Sequence, residues 1–166
     1  MDVRLLGDPV LRRRGDEITN IDESIRKLAA DMLETMYAAE GIGLAAPQVG
    51  ISLRLFVMEA LEPEQEARAV INPVITHKAG TDRDEEGCLS VPGLNALVDR
   101  AEEVVMEGLD LEGEPIRIEA AGLLARCIQH EVDHLDGILF IDRVSPLQRK
   151  MLLGKWKKLQ AEAAPP

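Results

Sequence analysis

The stretch GLLARCIQHEVDHLDG (122–137) limits the fold more than any other part of the chain. Leu123, Leu124, Cys127, Ile128 and Leu135 recur at the three- and four-residue steps of an amphipathic helix, and Gly137 supplies its stop. The apolar stripe obliges this helix to dock on a core. That core must also take in His130, Glu131 and His134. Positions four apart on a helix differ by about 40° in direction and roughly 6 Å along the axis, so both imidazoles can aim at one ion. Glu131 then projects beside the ion, where a carboxylate can take a proton from metal-bound water. Two of the three histidines in the chain stand at this spacing. The third, His77, sits alone in ITHKAG and reads as a surface or loop residue.

Two histidines do not close a catalytic site, which ordinarily takes three protein ligands and leaves a position for water. Cys127 points within about 20° of His134 around the helix but lies roughly 7 Å along the axis from a metal midway between the histidines. It is therefore expected to line a wall and not to ligate. The third ligand must come from another segment. DEEGCLSVPG (84–93) offers Cys88 in a turn-rich setting, with Glu85 and Glu86 as rivals. Asp133 and Asp136, on the helix itself, are poorly placed around it.

Elsewhere the pattern is of short elements. From Asp22 to Glu40 the apolar residues Ile25, Leu28, Ala29, Met32, Leu33 and Met36 predict a helix capped by Asp22 and ended by Gly41. GIGLAAPQVG (41–50) reads as a tight loop. SLRLFVMEA (52–60) and AVINPVIT (69–76) predict two strands joined by an exposed acidic loop, and 103–120 predicts a hairpin about Glu112 and Gly113. Ser145-Pro146 opens a basic helix over about 146–163, in which Met151, Leu152, Trp156 and Leu159 are available to pack. The expected fold is α+β: one domain over 1–166, with antiparallel or mixed sheets packed around a central metal-binding helix, an early N-terminal helix and a C-terminal helix.

Only four aromatic residues are present, Tyr37, Phe56, Phe140 and Trp156, so aliphatic side chains must fill the core and base stacking on nucleic acid is not expected. The net charge is -11, although 143–160 carries six basic residues and no acidic one, leaving about -17 elsewhere. That balance excludes a general polyanion binder and sets one basic arm at the C-terminal end. The N-terminal stretch is too charged for a signal or a membrane span, and a cytoplasmic location is expected. Cys88 and Cys127 would then be free thiols or ligands.

GIGLAAPQVG, EGCLSVPG and QHEVDHLDG, in this order and at these separations, resemble peptide deformylase of the bacterial type over nearly the whole chain. The resemblance implies a metal-dependent hydrolase that removes the N-formyl group from the first methionine of new polypeptides and releases formate. It implies one divalent metal held by Cys88, His130 and His134: Fe2+ in the cell, replaceable by zinc, nickel or cobalt. Metal-bound water attacks, Glu131 serves as general base and then acid, and the metal, the Gln48 side chain and the Leu89 N–H hold the oxyanion. Ile42, Gly43, Leu44, Glu86 and Gly87 are implied to contact substrate backbone, with Leu123, Arg126 and Cys127 around the methionine side chain. Oxidation of Cys88 should cost activity in air.

The resemblance also implies that the basic C-terminal helix contacts the ribosome near its exit tunnel, without sequence-specific binding of nucleic acid. One departure stands out: Asn95 occupies the place where many bacterial members carry an arginine that touches the substrate chain, which leaves binding beyond the first residue open. A metallopeptidase cutting internal amides is the alternative, since HExxH serves that chemistry too.

Overall fold

The computed structural model describes residues 1–61 and 65–164. A five-stranded sheet forms its centre, in the spatial order β1 (Gly43–Ala45), β2 (Leu55–Met58), β3 (Arg68–Ala79), β6 (Glu103–Leu109) and β7 (Pro115–Ala121). Every neighbouring pair is antiparallel. A separate antiparallel pair, β4 (Asp82–Gly87) and β5 (Asn95–Arg100), forms an arm. The sheets are thus antiparallel throughout. Part of the expected acidic loop, residues 62–64, lies outside the described residues.

Side chains on a strand alternate between faces, and here both faces are covered. Phe56, Met58 and Val70 turn to α2 (Gly122–Leu135), packing with Leu124, Ala125, Ile128 and Val132. Leu55, Val57, Ala69 and Ile71 turn to α1 (Glu23–Ala38), packing with Ile25, Ala29, Met32 and Met36. Burial on both sides explains why the LFVM run shows no polar alternation. A third cluster joins Val91, Leu94 and Val98 of the arm to Phe140, Ile141 and, from α3 (Pro146–Ala163), Leu152 and Trp156. Met151 was expected to be available for packing and instead faces solvent. Among the described residues no helix is long and apolar enough to cross a membrane.

Three readings of the sequence need correction. The 41–50 segment contains β1, paired through Leu44 to Val57, followed by a 3-10 turn over Ala46–Val49; its glycines conceal a three-residue strand. Gly41 is not the left-handed residue that ends α1. Glu40 takes that conformation (φ 58), while the Glu40 and Gly41 N–H groups donate back to the carbonyls of Tyr37 and Met36. Gly41 is small for a different reason, since a Cβ there would lie 2.8 Å from Leu89 Cδ1. His77 lies on β3, exposed and opposite Val105, and not in a loop.

The helix start agrees with expectation: an Asp22 carboxylate oxygen accepts from the N–H groups of Ser24 and Ile25. Replacing Asp22 with Ala should therefore cost about 1 kcal/mol. Glu40→Gly, which relieves the left-handed side chain, should gain up to about 1 kcal/mol. Urea titration of both variants measures the two effects, which carry opposite signs.

Candidate active site

Helix α2 rests on the sheet by its apolar stripe and turns His130, Glu131 and His134 toward the arm. The loop after β4 brings up Cys88. Cys88 Sγ lies 3.3 Å from His134 Nε2, which lies 3.2 Å from His130 Nε2. The three ligand atoms all fall within 4.8 Å of one another. An ion bound at about 2.3 Å from sulfur and 2.1 Å from nitrogen needs edges of roughly 3.4 to 3.6 Å between ligands, close to those observed. One thiolate and two imidazoles form a donor set suited to iron or zinc. Cys127, by contrast, turns its buried thiol toward the Ile42 carbonyl, 3.7 Å away. Burial pushes that thiol well above its ordinary pKa and keeps it neutral.

The groups around the triad fix its orientation. His130 Nδ1 donates to Glu86 Oε1 at 2.8 Å, which leaves Nε2 turned toward His134 Nε2 and free to hold a metal ion. Glu86 is itself buried and accepts from Arg100 (2.8 and 2.9 Å) and Arg126 (2.7 Å). Burial works against this carboxylate, but the bonds from Arg100 and His130 overcome it and hold its pKa well below the usual range. Gln48 Oε1 accepts from the Ala45 N–H at 2.9 Å, and Nε2 donates to Ser90 Oγ at 3.1 Å beside Cys88 Sγ. The Gln48 amide is thereby locked with its N–H group at the site.

Burial depresses His134, with His130 adding to the effect. Burial also works to depress His130, but its bonds to Cys88 and Glu86 overcome it and hold its pKa well above the ordinary value. Binding a metal ion through both Nε2 atoms requires both imidazoles in the neutral form.

Two buried atoms stand outside this satisfied network, His134 Nδ1 and Glu131 Oε1, neither with a hydrogen-bond partner. Burial pushes the Glu131 carboxyl up to about 7 against the pull of His130. Gly43 makes room for it: a Cβ there would lie 2.5 Å from Glu131 Oε2. A cavity of about 260 Å3 opens in front of these groups. Ile42 and Gly43 line one side, Glu86, Gly87, Cys88 and Leu89 another, and Leu123, Arg126, Cys127, His130 and Glu131 the floor. Leu44, expected to touch substrate, buries its side chain in the core under α1. Only the backbone of β1 remains for a ligand there. Asn95 stands opposite Gly87, its Oδ1 occupying the space a Cβ on Gly87 would need.

Sequence reasoning missed Ser90 and the bridging role of Arg100, and weighed Asp133 only as a metal ligand. Arg100 Nη1 donates to Asp133, which also accepts from Arg143. None of these contacts is local in sequence, and no periodicity announces them.

A three-ligand cluster with a buried, unsatisfied carboxylate beside it, at the end of an open cleft, defines the site of a metal-dependent hydrolase. Comparison with known proteins gives the particular kind. The polypeptide deformylase family model matches residues 1–150. The peptide deformylase of Thermodesulfovibrio yellowstonii is 48% identical over 159 residues, covering 95% of this chain and 96% of its own. Among solved structures, a peptide deformylase from Legionella pneumophila superposes with TM-score 0.89 at 46% identity, covering 99% and 98% of the two chains. One from Synechococcus elongatus in complex with actinonin gives 0.88 at 46% identity, over 93% and 86%. The chain belongs to the polypeptide deformylase family and is an enzyme of that family.

The buried Glu86 carries a testable consequence. Glu86→Gln would leave Arg100 and Arg126 short of their counter-charge, and removing one partner of a buried ionic group costs about 3 kcal/mol or more. Because the folded carboxylate is depressed, its stabilisation is present above the ordinary value of 4.5 and is lost as pH falls toward the folded value. Urea midpoints should therefore differ most between parent and variant near pH 7, and converge in acid.

Proposed function

We propose that the chain removes the N-formyl group from the first methionine of nascent polypeptides and releases formate, with Fe2+ as the native metal and zinc, nickel or cobalt able to replace it. The observation that carries this reading is the unpartnered Glu131 oxygen, buried beside the Cys88, His130 and His134 cluster. When bound by those three residues, a divalent ion supplies positive charge that acidifies water and polarises the formyl oxygen. Glu131 accepts the proton of the attacking water. It returns that proton to the methionine nitrogen as the C–N bond breaks.

Gln48 Nε2 and the Leu89 N–H donate to the oxyanion, each worth about 2.7 to 4 kcal/mol in such a site. Gln48 suits this role because its carbonyl end is already held by Ala45. β1 lies at the edge of its sheet, so an extended peptide can add beside it through backbone hydrogen bonds. Ile42, Leu123 and Cys127 offer an apolar slot for an unbranched, polarizable methionine. Arg126 contributes to this wall, with its guanidinium turned inward to Glu86.

The outer surface of α3 carries Lys150, Lys155, Lys157 and Lys158, and this basic face is the candidate contact with the ribosome in the cytoplasm. Charge reversal at Lys155 and Lys158 should reduce co-sedimentation with ribosomes while leaving hydrolysis of a short peptide intact.

The deciding experiment measures formate release from a formyl-Met peptide by anaerobically purified, iron-loaded protein. Glu131→Gln should keep its metal and lose at least about 100-fold in rate. Cys88→Ser should lose both metal and activity. Well-folded, metal-replete protein that yields no formate, or that cuts unformylated internal bonds, would overturn the reading in favour of a metallopeptidase.

A further inference from the structure

A second concavity, of about 650 Å3, lies beside α2. Its floor is formed by Gln129, Val132 and Asp133 of α2 and by Asp136 at the helix end, and its walls come from β3, β5 and the segment before α1. Five cationic side chains line it: Arg14, Arg54, Lys78, Arg100 and Arg143. Only three carboxylates do, and each already holds a guanidinium. Asp136 is 3.0 Å from Arg54, Asp133 is 2.6 Å from Arg100 and 2.8 Å from Arg143, and Asp99 is 2.7 Å from Arg83. Among the described residues Arg14 and Lys78 form no ion pair. The cavity thus carries surplus positive charge on a chain whose net charge is -11.

The three carboxylates that line the cavity are already engaged, so none of them is left to pair with Arg14 or Lys78. The groups behind the surplus are also fixed. Arg54 and Arg100 are buried, and Gln129 is held at both ends of its amide by the backbone of Ala101. The volume falls within the range of small-molecule sites, roughly 300 to 1,000 Å3.

From these observations we infer that this concavity binds a small anion carrying two or more negative charges, with Arg14 and Lys78 as its unpaired contacts and Arg143 as a guanidinium able to share. Planar guanidinium groups accept phosphoryl and carboxylate oxygens alike in paired hydrogen bonds. The inference stands apart from the reading of the catalytic site.

The test titrates zinc-loaded, isotopically labelled protein with inorganic pyrophosphate in one arm and succinate in another, following backbone amide resonances. Saturable shifts at Val74, Lys78, Thr81 and Ala101 are expected, and the better arm distinguishes a phosphoryl from a dicarboxylate ligand. Arg14→Ala and Lys78→Ala, both exposed and hence without effect on folding, should each weaken binding at least about threefold. Lys155→Ala, on α3, should leave it unchanged. Shifts confined to Gly43 and Leu89 at the metal centre, no shift at millimolar anion, or equal weakening by Lys155→Ala would overturn the inference.

Discussion

The carboxylate of Glu86 is the interaction on which the site depends. It belongs to β4 in the arm, yet its partners are His130 and Arg126 of α2 and Arg100 of β5. Through it the arm and the helix are held in one relative position, and that position brings Cys88 to the two histidines. A buried ionic cluster of this kind is not a reliable source of net stability, because desolvation offsets much of the attraction. Its value lies in specificity of arrangement. Three hydrogen-bonded partners around one carboxylate leave little freedom for a helix rotated or shifted by a residue, and the same contact selects the histidine nitrogen left free for a metal ion.

The aliphatic core explains how a polar site survives inside so small a chain. β2 and its neighbours are buried on both faces, so α1 and α2 each have a complete apolar bed. α2 can then spend its other face on His130, Glu131 and His134 without losing its docking surface. Local satisfaction fails at His134 Nδ1 and at Glu131. A carboxylate kept from hydrogen-bond partners, in a pocket opened by Gly43, is strained as a structural group and well disposed as a proton acceptor.

Much of this was legible from sequence, for identifiable reasons. α1, α2 and α3 announce themselves by apolar spacing and by the capping residues Asp22 and Ser145. The β6–β7 hairpin shows in its alternation and in Gly113, which takes φ 81 at the turn. β4 did not show, because Asp82, Arg83, Asp84 and Glu85 look like solvated loop and pair with β5 chiefly through backbone. β1 was concealed by glycines needed for close approach. The meeting of Glu86 with Arg100, Arg126 and His130 could not be read at all, since it is created by the packing of an arm against a helix. HExxH spacing follows from helix geometry alone; the network that orients it does not.

The three ligand atoms do not come from one rigid element. Two ride on α2, while Cys88 stands on a loop whose support is the separate cluster of Val91, Leu94, Phe140 and Trp156. An ion held by all three therefore joins two packing units, and its binding free energy enters the folding equilibrium of the chain directly. By mass action every tenfold rise of free ion above the dissociation constant adds about 1.4 kcal/mol to the folded state. The amount of properly docked arm in a cell is accordingly coupled to metal supply, so that scarcity of the ion would register as lost protein order as well as lost chemistry.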